Sequence, residues 1–314
     1  MAFSPEILMD TIPTAEQFRS GMVAIAGPPN AGKSTLLNLL LGQKISIVTP
    51  KPQTTRNRIV GIVNGENYQI VFLDTPGLHR SEDPLNVEMV RVATSSFADV
   101  DAVLFVIDAT QAPGGRQSPD AEEEMVGYLR QITGPVILVL NKIDLIDRKK
   151  LLPVIDTCTR LFPFHAVIPL SARKGDGLPA VTGEILKLLP FGPQYFPEEF
   201  PTDASERFLC AEIIREKVFL LTGQEIPYAT AVLIESFKEE PERGLVTIHA
   251  AIILDKDSQK GIVIGKGGSK LKSIGSAARK DIEALLDTRV LLKLWVKVKK
   301  NWAQDSRFLK ELGM

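Results

Sequence analysis

Two cysteines in 314 residues, Cys158 and Cys210, are too few for a disulfide framework or a cysteine-bound metal centre, so the chain suits a reducing cytoplasm. Long apolar runs are also missing. AVLFVI and PVILVL have the length of buried strands, well short of the ~20 residues a membrane helix needs. The first twenty residues lack the continuous apolar core of a secretory signal, and Glu6, Asp10 and Glu16 against Arg19 do not make a basic transit peptide. Residues 1–20 are therefore expected to be a loosely held tail. No internal repeat and no second phosphate loop are found. What is present is 44% hydrophobic and 24% charged residue content, a composition able to bury sizeable cores, over a length that suggests two domains.

Charge is unevenly placed. The net charge is −1, yet Lys256 to Met314 holds 14 Lys and Arg against 6 Asp and Glu, a net +8. The asymmetry hints at a nucleic-acid or anionic-surface partner, although a solvated lysine face is the commoner explanation.

From residue 21 to about 190, strand-like runs (MVAIAG, RIVGIVN, YQIVFLD, DAVLFVID, PVILVLNK, AVIPLSA) alternate with helical segments. The alternation predicts a mostly parallel six-stranded α/β sheet, with one antiparallel hairpin at NGEN, Asn64 to Asn67. Residues 191–205, in the proline-rich run LPFGPQYFPEEFPTD, read as a stiff linker. A second domain is expected over 206–300: helix (206–221), strand (229–237), strand (245–254), short helix, glycine turn, long helix (269–286) and strand (290–298). Residues 301–314 are expected as a C-terminal tail.

The motif GPPNAGKS, Gly27 to Ser34, fits G-x-x-x-x-G-K-S/T between a strand and a helix. Its glycines free successive N–H groups to face phosphate oxygens, so Gly27, Pro28, Pro29, Asn30, Ala31, Gly32, Lys33, Ser34 and Thr35 are candidate nucleotide contacts. Lys33 would reach the β/γ-phosphates and Ser34 a Mg²⁺ ion. DTPG, from Asp74 through Thr75 and Pro76 to Gly77, offers a carboxylate to the metal shell and the Gly77 amide to the γ-phosphate. In QTTR, Gln53 to Arg56, a threonine hydroxyl would complete the metal shell. Thr55 is preferred over Thr54, giving Ser34, Thr55 and Asp74 as metal ligands.

NKID, Asn141 to Asp144, follows the phosphate loop by about a hundred residues and precedes SAR, Ser171 to Arg173. Asp144 can accept from guanine N1–H and the 2-amino group, which adenine cannot match. Asn141 would tie neighbouring loops, Lys142 lies between them, and the Ala172 amide, flanked by Ser171 and Arg173, could face guanine O6. GTP and GDP are the expected ligands.

In these motifs the chain resembles the Era family of bacterial GTPases, of the translation-factor-related class, over residues 20–314. The resemblance implies a P-loop GTPase domain followed by an α+β type II KH domain, and hydrolysis of GTP to GDP and phosphate. Leu78 follows DTPG where Ras-like GTPases place a water-orienting glutamine. The resemblance implies another device, a potassium ion held partly by Asn30; Asn30 as a hydrogen-bonding loop residue is the alternative. Lys33, Thr55, Gly77 and Asn30 are thus the catalytic candidates, while Arg56 and Arg80 read as solvated surface arginines.

In IVIGKGGSKLKSIG, Ile262 to Gly275, the turn Gly265-Lys266-Gly267-Gly268 satisfies the G-x-x-G clamp of KH domains, with Lys270 and Lys272 adding charge. Ile262, Ile264 and Leu271 are candidates for an apolar base-binding groove or for core. The resemblance implies the 3′ end of 16S ribosomal RNA and the 30S subunit as partners and a role in small-subunit assembly. A monomer in the cytoplasm is expected, with peripheral contact at the cytoplasmic face of the inner membrane. The competing reading is a GTP-dependent signalling or membrane-associated module whose basic domain meets protein or the lipid headgroups of the inner membrane.

Overall fold

The computed structural model describes residues 18–113, 119–223 and 225–313. The first domain runs β1 (Arg19–Ala26), α1 (Lys33–Leu41), β2 (Ile59–Gly65), β3 (Tyr68–Asp74), α2 (Pro84–Ser95), β4 (Ala102–Asp108), α3 (Pro119–Leu129), β5 (Val136–Asn141), α4 (Arg148–Leu161), β6 (Ala166–Pro169) and α5 (Leu178–Leu188). Its strands form one sheet in the order β2-β3-β1-β4-β5-β6. β2 runs antiparallel to β3 and the other pairings are parallel.

The interior strands read as unbroken apolar runs because helices cover both faces. Leu36, Leu37, Val181 and Ile185 pack on one face, and Ala93, Met125, Leu129 and Cys158 on the other. Parallel strands bring the ends of β1, β3, β4, β5 and β6 to one edge, and the phosphate loop, DTPG, NKID and SAR all leave from there.

The second domain runs α6 (Glu206–Leu221), β7 (Thr230–Glu240), β8 (Leu245–Leu254), α7 (Asp257–Ile264), α8 (Ser269–Leu286), β9 (Arg289–Val298) and α9 (Ser306–Glu311). β8 pairs antiparallel with β7 and parallel with β9. Alternation along β8 sends Ile248, Ala250, Ile252 and Leu254 toward α6 and α8, and Ala251 and Ile253 to the reverse face.

The expected ends need correction. β1 starts at Arg19, inside the expected N-terminal tail; residues 1–17 of that tail lie outside the described residues. The expected C-terminal tail is folded, with a 3₁₀ turn at Trp302–Gln304 followed by α9, and Trp302 is only 1% exposed. The reason is the reverse face of the second sheet. Its apolar Ala231, Ala251 and Ile253 must be covered, and Trp302 and Phe308 cover them together with Leu85 and Met89 of α2.

The linker is also more than a spacer. The Gln69 carboxamide accepts from Tyr195 N (2.8 Å) and Phe196 N (2.9 Å) and donates to Phe196 O (2.7 Å), while Ile62 N donates to Pro201 O (2.9 Å). The chain is laid along β2 and covers an edge that would otherwise invite foreign strands.

Candidate functional site

The loop between β1 and α1 folds as its glycines dictate. Gly27 has φ 135°, and a Cβ there would lie 2.1 Å from Val106 O, so no other residue fits without displacing β4. Lys33 opens α1 and turns back beneath the loop, its Nζ donating to Gly27 O and Pro28 O at 2.9 Å each. Burial draws its pKa down to about 8, against an opposing pull from Asp74. A cationic donor beneath a helix N-terminus suits a polyphosphate.

Above the loop lies a cavity of about 790 Å³ lined by Pro28, Pro29, Asn30, Ala31, Gly32, Thr35, Asn141, Lys142, Asp144, Ala172 and Arg173. Asn141 ties the walls together: Nδ2 donates to Ala31 O (2.8 Å) and Oδ1 accepts from Ala172 N (2.9 Å). The Ala172 amide is thereby engaged by Asn141, a departure from its expected role toward guanine O6. Asp144 presents its carboxylate at the cavity wall with Oδ1 fixed by Ser171 Oγ at 2.7 Å. Ser171 itself is fully buried behind it. Lys142 takes a left-handed backbone, φ 64°, and its ammonium pairs with Asp108 at 2.7 Å. Sequence reasoning missed Asp108, although it closes β4 as Asp74 closes β3.

The metal candidates converge. Ser34 Oγ lies 2.7 Å from Thr55 Oγ1 and donates to Asp74 Oδ2 at 2.7 Å. Ser46, also missed, adds a donor to Asp74 Oδ2 at 2.9 Å. Burial pushes the Asp74 carboxyl above its usual range, against hydrogen bonds from Ser34 and Ser46 and the charge of Lys33, and its Oδ1 is buried with no partner. An orphaned carboxylate oxygen beside two hydroxyls is a hard, all-oxygen donor set that fits Mg²⁺. A second cavity, about 60 Å³, is lined here by Lys33, Ser34, Thr55 and Gly77. Thr54 also borders it, but its hydroxyl is occupied by Thr49 Oγ1 (2.7 Å) and Lys51 O (2.8 Å).

Other candidates fall elsewhere. The Thr75 hydroxyl is buried on Ile25 O of β1 at 2.9 Å, and Thr75 and Pro76, like Asp74, line neither cavity. Leu78, 4% exposed, is core. Asn30, left-handed at φ 60°, donates from Nδ2 to Pro50 O at 3.3 Å. His79 lies 3.0 Å from the Gln53 carboxamide through Nε2 and 2.9 Å from Gly77 O through Nδ1, contacts no motif announced. Arg80 is exposed as expected. Arg56 is a correction: only 4% exposed, it donates to Thr230 O (2.7 Å), Tyr228 O (2.9 Å) and Pro227 O (3.1 Å) of the second domain.

In the second domain Gly265, Gly267 and Gly268 have φ of 75°, 59° and 79°, forming a tight turn that opens α8. Lys266 and Lys272 are exposed and Lys270 half-buried. Beside the turn lies a groove of about 400 Å³ lined by Gly268, Leu271, Lys272, Gly275, Ser276, Arg279, Leu292 and Leu294. Of the three expected apolar residues Leu271 alone lines it; Ile262 and Ile264 sit on α7, which forms no part of its wall. Gly275 brings α8 close to β9, where a Cβ would stand 3.4 Å from Leu294.

Known proteins share this two-part organisation. Residues 22–142 match the family model described as 50S ribosome-binding GTPase, and residues 225–303 match the KH domain model. The chain is 53% identical over 296 residues to GTPase Era of Geobacter metallireducens, covering 94% of this chain and 98% of that protein. It is 51% identical to GTPase Era of Syntrophus aciditrophicus, over 94% and 95% of the two chains. The crystal structure of a point variant of Aquifex aeolicus Era bound to GDP·AlF₄⁻ superposes with a TM-score of 0.89 at 42% identity, over 94% of this chain and 99% of that one. A structure of Era with MgGDPNP and nucleotides 1506–1542 of 16S ribosomal RNA gives the same score, identity and coverage.

Proposed function

This chain belongs to the GTPase Era family and is a GTPase, and on that premise we propose that it hydrolyses GTP in the first domain while its KH domain holds the 3′ end of 16S ribosomal RNA. The work is done in the cytoplasm, by a single chain, during maturation of the 30S subunit. Among the described residues no helix is long and apolar enough to cross a membrane.

In this reading Asp144 selects guanine, Asn141 holds the pocket walls in register, and the amides from Asn30 to Ser34 and the Lys33 ammonium take the phosphates. Ser34, Thr55 and Asp74 would hold Mg²⁺, which would supply positive charge to offset that of the polyphosphate. The Gly77 amide faces the γ-phosphate, and a Cβ at Gly77 would come within 2.8 Å of the Pro29 ring. The buried Leu78 orients no water. A potassium ion carried by Asn30, near the Pro50 carbonyl, would supply positive charge in its place. GTP turnover should then be faster in potassium than in sodium at equal ionic strength, and equal rates would return Asn30 to loop stabilisation.

The observation that carries the RNA half is the glycine turn of left-handed residues opening α8 beside a groove with Lys272 and Arg279. Backbone phosphates can approach where side chains are absent, and apolar Leu271, Leu292 and Leu294 offer surface to unstacked bases. The test replaces Lys266 and Gly267 together with Asp. Anisotropy with an oligonucleotide of the 16S 3′ end should show RNA affinity lost, with GDP affinity unchanged. Parent-like RNA binding would reduce the turn to a helix corner.

A further inference from the structure

Thr55 stands between two residues that the second domain holds. On one side the Thr54 carbonyl accepts from Arg215 Nη2 at 2.7 Å. On the other, the Arg56 guanidinium is spent on the carbonyls of Pro227, Tyr228 and Thr230. Arg215, 3% exposed, is itself fixed by a fork to Glu212, with Nε to Oε1 at 2.7 Å and Nη2 to Oε2. Both guanidinium groups stand over the Phe219 ring, at 5.8 Å for Arg56 and 5.3 Å for Arg215.

The same helix grips the rest of the loop. Val48 N donates to Glu216 Oε1 at 3.1 Å, Lys44 pairs with Glu216 at 2.6 Å, and the Lys51 ammonium reaches the carbonyl of Phe219. Burial works against the Glu216 charge, but the bonds from Lys217, Lys44 and the Val48 amide outweigh it and hold its carboxyl below the usual range. Between Leu41, the end of α1, and Ile59, the start of β2, the chain has no helix or strand, so its shape is set by what it is tied to.

We propose that Arg215 is a positioning residue for GTP hydrolysis: through the Thr54 carbonyl it holds the Thr55 hydroxyl against Ser34, so that α6 of the second domain completes the metal site of the first. The proposal rests on the reading of Thr55 as a metal ligand. A carbonyl held by a forked, buried guanidinium has little freedom to rotate, and the next residue's hydroxyl is only one peptide unit away. The arrangement is also held at a cost. Arg215 Nη1 is buried without a partner, and Arg56, drawn down to about 9 by burial first and by Arg215 second, lies beside a like charge. A clamp with such costs can open, and linkage requires that whatever binds Thr55 favours the docked domain as much as docking favours its binding.

The test uses the full chain. Glu212→Gln with Arg215→Met removes both charges of the fork, so neither is left buried alone. We expect GDP affinity within about twofold of the parent, a fall in kcat of about tenfold or more without a matching rise in KM, and about tenfold more Mg²⁺ needed for half-maximal GDPNP binding. Arg215→Lys, whose single ammonium cannot both fork Glu212 and reach Thr54, should fall between the two. It carries the test if the double variant does not fold. A parent-like kcat and Mg²⁺ requirement in the folded variant overturns the proposal. Thr55→Ala separates the two layers. If it leaves the Mg²⁺ requirement unchanged, the reading of Thr55 fails and takes the proposal with it; if it raises the requirement while the Arg215 variants do not, Thr55 stands and the positioning role is refuted.

Discussion

Asp144→Asn tests base selection without disturbing the fold, for a reason visible in the pocket. Asp144 Oδ1 accepts the Ser171 hydroxyl at 2.7 Å, and an asparagine carbonyl can accept the same bond, so the side chain should keep its rotamer. The change falls on the other atom, where an acceptor becomes an NH₂ donor facing the donors of guanine. A charge-assisted hydrogen bond contributes about 1.5–3 kcal/mol, so losing the one at this atom costs roughly tenfold to a hundredfold in affinity, and the opposed donors add to that. Xanthine carries a carbonyl where guanine has its amino group and should gain relative to GTP. The assay is competition against a fluorescent GDP analogue, with thermal melts alongside that should agree within about 2 °C. GTP affinity within about threefold of the parent, with xanthosine triphosphate no better bound, would refute the assignment of Asp144.

Nucleotide affinity should fall as pH rises from 7 to 9. Lys33 has a pKa of about 8 in the free protein, and bound phosphate must raise it, so binding takes up a proton above that value and affinity drops by about tenfold at pH 9. Calorimetry at pH 8.5 in two buffers of different ionisation enthalpy reads the proton directly, and zero uptake would contradict it. The free protein shows the opposite slope: the unfolded lysine holds its proton up to its ordinary value of 10.5, so this residue's contribution makes folding more favourable as pH rises from about 8 to that value. Trp302→Ala should cost about 3–5 kcal/mol in urea unfolding, the range for a buried aromatic, because Trp302 packs with Phe308, lies 5.6 Å from the Arg56 guanidinium and donates Nε1–H to Ala229 O at 3.0 Å. A cost below about 1 kcal/mol would mean that the segment after β9 is dispensable.

The parts of the site legible in the sequence are those whose geometry is local. Gly27 must be glycine because of the chain beside it, Lys33 and Ser34 follow from the helix it introduces, and Gly265 to Gly268 specify their own turn. The apolar runs likewise announce the sheet, since a strand covered on both faces has no polar face to show. Arg56 is illegible because a charged residue in a polar loop ordinarily faces water, and the carbonyls that bury it lie 171 to 174 residues further on. The groove is half legible for a similar reason. Leu271 announces itself within the basic stretch, but Leu292 and Leu294 join it through the alternation of β9 and the closeness of α8, and both depend on pairing with β8. Trp302 reads as tail because nothing near it in sequence reveals that the reverse face of a three-stranded sheet needs a cover.

These long-range contacts change what the linker means. Proline-rich chain between two domains suggests independent bodies, so that damage to one leaves the other intact. That independence is expected for Lys266 and Gly267, which are exposed; a Cβ added at Gly267 would meet nothing within 4 Å, and the strain of its φ of 59° would stay within the turn. It does not hold across the docked surface. There Leu85 and Met89 of α2, the helix that follows DTPG, share one cluster with Ala251, Ile253 and Trp302, while the loop carrying Thr55 is tied to α6. The helix after DTPG and the loop carrying Thr55 are thus both packed on the second domain, one through apolar burial and one through buried arginines. Apolar burial falls off gradually as surfaces separate, whereas a buried guanidinium that loses its carbonyls must be rehydrated at once. Docking therefore rests on two unlike contacts, the buried arginines Arg56 and Arg215 and the apolar cluster around Trp302.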